Sequence, residues 1–330
     1  MYALPSGDAV SQRLANPETM HGVIPRGSPD LAILALVIIW GVNFSVVKAL
    51  LEQFHPLALN GLRFALGAAV LAPFALRGGQ LKRFSRRDWL TITVLGLVGN
   101  TFYQFLFITG IDGTLAGNAA LILAMTPVFI TLFSAGLGQE TVTLEGWAGI
   151  GISTIGIGLV VWGGSMVRFG TETLRGDLTM LAAAVAWSVY TVGSSPLVKR
   201  HGALPVTAAT MWIGAVVLFI VAIPSMAAQD WTQPTPLAWT GLVVSGLLAV
   251  GLSYVLWYYS VEHLGSSRTA VFSNTVPIVA LVFAWLALGE TPTLIQLVGA
   301  ALILGGVTLT RLRGTRMPHP GNRTMPIPLE

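Results

Sequence analysis

The chain contains one stretch twice, and this internal repeat constrains the fold more than any other feature. Residues 114–140, TLAGNAALILAMTPVFITLFSAGLGQE, return at 264–290 as LGSSRTAVFSNTVPIVALVFAWLALGE, and Pro127 then aligns with Pro277. The same register of 150 positions continues without a gap over further matched residues: Trp89 with Trp239, Gly96 with Gly246, Gly149 with Gly299, and Gly156 with Gly306. Self-similarity at a fixed period means that one structural unit is used twice.

The amino-acid composition indicates whether this repeated unit folds in water or in a membrane. Only 10% of the 330 residues are charged, 54% are hydrophobic, and the mean hydropathy is +0.74. A soluble domain carries about a quarter charged residues, so this sequence predicts an integral membrane protein. The chain has no cysteine, which excludes disulfides and thiolate metal sites. Residues 1–30 lack the apolar segment of a signal peptide and predict a disordered cytoplasmic tail.

Ten segments are long and apolar enough to cross a bilayer, which takes about 20 helical residues. They are 31–51, 57–76, 89–110, 115–137, 145–163, 178–198, 205–225, 237–260, 267–288 and 294–310. We therefore predict an all-α membrane protein with ten transmembrane helices. Its domains would be a five-helix repeat at 31–163, a linker at 164–177, a second five-helix repeat at 178–312, and a cytoplasmic tail at 313–330.

The distribution of Lys and Arg predicts the orientation. With a cytoplasmic N-terminus, the basic loop and tail residues fall on the cytoplasmic side, and only Arg168 and Arg175 fall outside. Both termini are then cytoplasmic, the protein lies in the cytoplasmic membrane, and the pI near 9.7 indicates topology and not nucleic-acid binding. Two repeats of five spans must face opposite ways. Inverted repeats are typical of secondary transporters, whose substrate site lies near the midplane between the halves.

Enzymatic signatures are missing from the sequence. It contains no His-Glu-x-x-His, no Gly-x-Ser-x-Gly and no P-loop, and all histidines fall outside the predicted spans. We therefore expect no enzymatic activity, no cofactor and no metal site. A lipid flippase or a passive channel of the same fold is the competing hypothesis, and an intramembrane lipid-modifying enzyme is less favoured.

Short motifs at matched places in the repeats point to a known family. WGVNF at 40–44 precedes Lys48, LRF occupies 62–64, and the two proline-containing spans end in Glu140 and Glu290. In this order the motifs resemble the EamA-type exporters of the drug/metabolite transporter superfamily, over about residues 31–312. The resemblance implies ten helices and export of small organic solutes across the cytoplasmic membrane without nucleotide hydrolysis. Trp212 stands where the second repeat would match Arg63, so any role of Arg63 is not duplicated.

The predicted substrate site combines cations, amides and aromatic rings within the spans: Lys48, Arg63, Asn43, Gln104, Trp40, Trp187 and Tyr254. Arg63 either faces a cavity and binds an anion, or bonds to backbone carbonyls or Glu52. Lys48 either contacts substrate or extends to the outer interface, and Asn43 and the two tryptophans either line the cavity or join helices. Because a cation in a low dielectric favours an anionic partner, we expect a carboxylate-bearing, partly apolar substrate such as an amino acid.

Three further expectations concern motion and surroundings. Pro127 and Pro277 would kink their helices and are hinge candidates, or else produce fixed bends. No Asp or Glu occupies the middle of a predicted span, which favours exchange or facilitated diffusion without a strict need for a proton gradient. The expected partners are the small-molecule substrate and the lipid bilayer, and the sequence leaves a homo-oligomer open. Trp257 is interpreted as an aromatic-belt residue, and Glu140 and Glu290 as interface anchors.

Overall fold

The computed structural model describes residues 29–76, 81–138, 141–167, 172–264, 272, 275–313 and 315–316. The first-half helices are span one (Pro29–Leu50), span two (Pro56–Leu76), span three (Arg86–Gly96, Leu97–Phe102 and Tyr103–Asp112), span four (Ala116–Leu123 and Thr126–Gly136) and span five (Leu144–Val167). The second-half helices are span six (Glu172–His201), span seven (Ala203–Ala228), span eight (Pro236–Val244, Ser245–Leu252 and Ser253–Leu264), span nine (Val276–Leu288) and span ten (Leu294–Arg313). Thr141–Val142 pairs antiparallel with Thr315–Arg316.

The described helices confirm an all-helical membrane protein. Eight of them are long and apolar enough to cross a bilayer, and spans nine and ten are shorter apolar helices. Span five continues to Val167 and span six begins at Glu172, so parts of the predicted linker are helical. Asp177, expected in that linker, consequently lies in the second turn of span six.

The contacts between spans recur when every span is replaced by its counterpart five spans away, in the other half. Span one packs on spans eight and nine, and span six packs on spans three and four in the same way. Span two packs on span eight, as span seven packs on span three. Spans two and seven contact each other, and spans five and ten form the most extensive pair. Each contact thus has a counterpart in the other half, as two inverted five-helix repeats require.

The two prolines lie at helix starts. Span four is interrupted at Ala124 and Met125, and Pro127 falls in the first turn of its second helix. Pro277 likewise falls in the first turn of span nine. A proline there costs no helical hydrogen bond, because its missing N–H would have no intrahelical partner. The expected kink by loss of an internal bond is therefore wrong, and a hinge role at these positions stays a prediction.

The same backbone pattern occurs around both breaks. The Met125 amide donates to the Ile122 carbonyl at 3.1 Å, and the Thr275 amide donates to the Phe272 carbonyl at 3.0 Å. These donors and acceptors are related by the offset of the sequence repeat. Within the broken span four, the hydroxyl of Ser188 from span six donates to the Thr126 carbonyl. The carbonyl that loses its helical donor to Pro127 is that of Leu123, and Thr126 Oγ1 donates to it at 2.7 Å.

Glu290 stabilises a helix terminus. Its carboxylate accepts hydrogen bonds from the amides of Ala116 (3.0 Å) and Gly117 (3.2 Å), at the start of span four. The first amides of a helix lack intrahelical partners and carry partial positive charge, so a carboxylate is favourable there. The structure thus gives Glu290 a helix-capping role, while its interpretation as an interface anchor stays a prediction. Glu140, its counterpart, lies outside the described residues.

Glycines allow spans five and ten to approach closely. A Cβ on Gly149 would lie 2.6 Å from the Gly306 carbonyl oxygen, and a Cβ on Gly156 would lie 2.7 Å from that of Gly299. The two contacts are exchanged by the repeat, since Gly149 matches Gly299 and Gly156 matches Gly306. Backbone contact through small residues is a usual way for helices to associate in a membrane.

The inverted arrangement yields a topology prediction. Reporter fusions at Arg83, at Arg200 and after the last residue should report the cytoplasm, because the basic loops stay inside. Fusions near Glu172 and Asp230 should report the opposite side. The measurement is the activity of a compartment-specific reporter such as alkaline phosphatase. A cytoplasmic signal at Glu172 would contradict this orientation of the two repeats.

Candidate functional site

A buried cluster of polar side chains lies between the halves. Arg63 of span two is only 2% exposed, and its Nε donates to Ser245 Oγ at 2.8 Å. Its Nη1 donates to Asn60 Oδ1 at 3.2 Å and its Nη2 to Asn43 Oδ1 at 3.4 Å. Ser245 Oγ also donates to Asn43 Oδ1 at 2.5 Å. Asn43, Asn60, Arg63, Gln104 and Ser245 are called the central polar cluster below.

Gln104 completes this cluster from span three. Asn60 Nδ2 lies 3.0 Å from the Gln104 carbonyl oxygen and 3.2 Å from Gln104 Oε1. Spans one, two, three and eight thus meet through hydrogen bonds that each satisfy a group buried in an apolar environment. Of the predicted site residues, the structure brings together Asn43, Arg63 and Gln104.

Two members of the cluster were missed by the sequence argument. Asn60 precedes Arg63 by three positions, so both lie on one helical face, and this spacing was an available signal. Ser245 matches Leu95 in the repeat register, and nothing in the sequence distinguishes it from other serines in apolar segments. Only the packing of span eight on span two places its hydroxyl beside the guanidinium.

The charge of Arg63 is balanced by neutral oxygens alone among the described residues. Its three hydrogen-bond acceptors are a hydroxyl and two amide oxygens, and no described carboxylate forms an ion pair with it. Glu52 and the backbone carbonyls, the partners predicted for a structural role, are absent from this set. A buried cation without a counter-ion is costly in a membrane. An anionic ligand would supply the missing charge.

Lys48 lies outside the cluster, at the end of span three. Its Nζ donates to the carbonyl oxygens of Ile111 (2.9 Å) and Asp112 (2.6 Å). The last carbonyls of a helix lack intrahelical donors and carry partial negative charge, so an ammonium group stabilises them. This position at the predicted outer end of span three explains a cation on span one without a substrate and agrees with the extension of Lys48 to the outer interface. Substrate contact by Lys48 stays a prediction.

Aromatic rings form two groups near the cluster. Trp40 stacks on Trp257 with ring centroids 5.8 Å apart, and Trp40 Nε1 donates to the Ala249 carbonyl of span eight at 3.2 Å. Trp187 packs against Tyr103 (4.9 Å) and against Tyr190. Tyr190 is buried and the other rings are half-buried, and together they supply apolar surface between the halves. The interpretation of Trp257 as a belt residue is wrong, because its ring packs inward on Trp40.

Tyr254 is not part of either group. It packs against an apolar cluster of spans two, seven and eight that contains Phe64, Met211 and Val250. The sequence paired Tyr254 with Gln104 because the repeat makes them equivalent. Gln104 accepts hydrogen bonds from Asn60, whereas Tyr254 packs against the apolar cluster of spans two, seven and eight, so the two residues belong to different clusters.

Spans three and eight both contain a π-helical segment in their middle, at Leu97–Phe102 and Ser245–Leu252. The two segments correspond in the repeat register. π-helical turns interrupt the regular hydrogen-bond pattern and are frequent at functional sites. Here Ser245 begins one of them, and the Ala249 carbonyl that binds Trp40 lies within it. The sequence analysis gave no indication of either segment.

Comparisons with known proteins agree with this architecture. The model of the EamA-like transporter family matches residues 27–162 and again 174–312. A crystal structure with 24% sequence identity superposes with a TM-score of 0.62 over 86% of this chain and 96% of that chain. At that identity the likeness shows the fold alone.

Named relatives are transporters. An uncharacterized transporter of Archaeoglobus fulgidus is 31% identical over 84% of this chain and 96% of its own length. The probable terminal-alkyne amino-acid exporter of Streptantibioticus cattleyicolor is 32% identical over 86% of this chain and 93% of its own length. The uncharacterized transporter YdfC of Bacillus subtilis is 29% identical over 84% of this chain. The resemblance found in the sequence is confirmed: this multi-pass membrane protein belongs to the EamA-like transporter family, whose members are transporters and not enzymes.

Proposed function

We propose that this transporter exports small organic solutes that carry a carboxylate and an apolar end, with amino acids as the leading class. The observation that carries the proposal is the Arg63 guanidinium, which is buried between the halves and contacts only neutral oxygens among the described residues. A guanidinium offers donors in a planar fork that matches a carboxylate. A substrate carboxylate would therefore provide the counter-ion that the described protein groups do not.

The aromatic pair provides the second half of the recognition. Trp40 and Trp257 present half-buried rings, and Trp40 lies one helical turn from Asn43 on span one. Apolar surface removed from water contributes about 25 cal/mol per Å², so a hydrophobic side group would add affinity to the charge interaction. The amino-acid exporter from Streptantibioticus cattleyicolor, 32% identical, supports the same substrate class.

Alternating access would bring the substrate to this cluster. Arg63 is sealed from solvent in this conformation, so spans one, two and eight must separate before a solute reaches it. The inverted repeats provide two related arrangements, one open to each side. The matched π-helical segments and the breaks before Pro127 and Pro277 are the places where the spans would bend. We infer that spans one to five and spans six to ten are the two functional halves, in the cytoplasmic membrane with both termini inside.

The test is efflux from proteoliposomes loaded with a radiolabelled apolar amino acid or with its carboxamide. We expect the acid to leave much faster than the amide, since only the acid neutralises Arg63. Protein-free liposomes measure the leak. Equal efflux of both compounds would contradict the proposal and favour a passive channel, and movement of a labelled phospholipid between leaflets would favour a flippase.

A further inference from the structure

A second buried polar group lies at the predicted outer face, away from the central polar cluster. Asp177 of span six is 1% exposed, and its Oδ1 accepts a hydrogen bond from Thr114 Oγ1 at 2.5 Å. Asn118 of span four lies beside it, with its Oδ1 bonded to Gln296 Nε2 of span ten at 2.8 Å. Thr114, Asn118, Asp177 and Gln296 are called the outer polar cluster below.

This cluster closes the seam between the repeats. Thr114 and Asn118 belong to the first repeat, and Asp177 and Gln296 belong to the second. The backbone is in contact at the same place, because a Cβ on Gly176 would lie 2.3 Å from the Gly113 carbonyl carbon and oxygen. Separation of the halves on this side must therefore break the Thr114–Asp177 hydrogen bond and admit water to the carboxyl group.

In the closed arrangement the carboxyl group has only neutral polar partners among the described residues, the hydroxyl of Thr114 and the side-chain amide of Asn118. Asp177 Oδ2 and Asn118 Nδ2 are both buried. No described cation forms an ion pair with Asp177. Burial in a low dielectric disfavours a charged carboxylate unless donors or cations compensate it. The closed arrangement therefore favours the neutral, protonated carboxyl.

Charged groups on the surrounding elements do not reverse this preference. Lys48 of span one is directed to the Ile111 and Asp112 carbonyls, and Arg175, two residues before Asp177, is exposed. Asp112 is also exposed, and Glu290 binds the amides at the start of span four.

We propose that Asp177 is a proton-binding site that holds the outer face closed, and that opening of this face releases one proton from Asp177 to the external water. The inference uses the opening step of the proposed transport cycle, but it makes no use of substrate chemistry. It also revises the expectation of proton independence, because that expectation did not include a buried acid. Low external pH should then favour the closed face, and high pH the open face.

The chain has no cysteine, so one introduced thiol can report the opening. Leu115→Cys places it beside Thr114, where the native side chain is 7% exposed, and a membrane-impermeant maleimide is added from outside. Gln233→Cys, at an exposed position on the same predicted face, corrects for ionisation of the thiol. The corrected alkylation rate should rise with pH by up to about tenfold per unit, the limit for one linked proton.

Substitutions at the cluster test the assignment. Asp177→Asn mimics the protonated state and should give slow alkylation without the corrected pH dependence. Thr114→Val removes a donor that stabilises the carboxylate in the closed face, so the corrected alkylation rate should continue to rise at pH values where that of the unsubstituted reporter has levelled off. Asp230→Asn, at an exposed aspartate on the same predicted face, is the matched control and should behave as the unsubstituted reporter.

Two results would overturn the proposal. One is an Asp177→Asn reporter that keeps the pH profile of its parent, and the other is opening that responds to sodium at constant pH. The acid-to-amide efflux ratio separates this test from the proposed function. We expect Asp177→Asn to keep that ratio while losing pH-dependent opening, whereas failure of the proposed function would remove the ratio in the unsubstituted protein.

Discussion

Replacing Arg63 with alanine should reduce transport of a carboxylate substrate by about 10- to 100-fold, while transport of the corresponding amide changes little. The reason is that a hydrogen bond to a charged group contributes about 1.5–3 kcal/mol, and only the acid makes it. Lysine at this position keeps the charge but lacks the planar fork, so Arg63→Lys should restore part of the preference. Initial efflux rates of both compounds give the measurement.

Lys48→Ala is the matched control for this experiment. It also removes a cation from the spans, but the lost contacts are to the carbonyls of Ile111 and Asp112. We expect it to lower thermal stability and to affect acid and amide equally. If Arg63→Ala likewise reduces both compounds equally and lowers the melting temperature, Arg63 only joins spans one, two and eight.

The substitution Gly156→Val should separate spans five and ten and sharply reduce the yield of folded protein. A Cβ at this position would lie 2.7 Å from the Gly299 carbonyl oxygen and 2.8 Å from the Ile303 amide nitrogen. Both are backbone atoms, which cannot rotate away from a new side chain as a flexible side chain could. Overpacking costs about 1–3 kcal/mol where neighbours can adjust, and we expect a loss at or above that range. Thermal unfolding of the purified protein in detergent measures it.

Gly158→Val is the control two residues away. A Cβ there has no neighbouring atom within 4 Å, and the change in helix propensity is the same. We expect near-parental stability for this variant. Equal losses for Gly156→Val and Gly158→Val would assign the effect to the helix itself and contradict a role of Gly156 in pairing the repeats.

The fold was largely predictable because the repeat reports on the whole architecture. Apolar segments long enough to cross a bilayer must form helices, and an odd number per repeat inverts the second copy. The repeat is visible even in single backbone hydrogen bonds, since Met125 in the first repeat and Thr275 in the second donate to equivalent carbonyls. The π-helical segments were not predictable, because their irregular turns occur in sequences that are as apolar as regular helices.

The candidate site was predictable only in part. Arg63, Asn43 and Gln104 were found because a polar side chain within an apolar span requires a partner. Ser245 was missed, since its position beside Arg63 depends on two helices that are 182 residues apart in the chain. Lys48 was included for its charge, but its ammonium group donates hydrogen bonds to the last carbonyls of span three. Residue type selects candidates, and helix packing decides which of them meet.

By itself, the sequence determined that this chain forms a membrane transporter of two inverted halves, because hydropathy and repetition are properties of the chain. Only the tertiary structure decided which of its acids are buried. Asp30 lies in the first turn of span one and Asp177 in the second turn of span six, yet Asp30 is exposed and Asp177 is 1% exposed. The difference arises from neighbours: the connection at Gly113 and Thr114 covers Asp177. Whether a carboxyl group holds a proton depends on that covering, which no local pattern encodes.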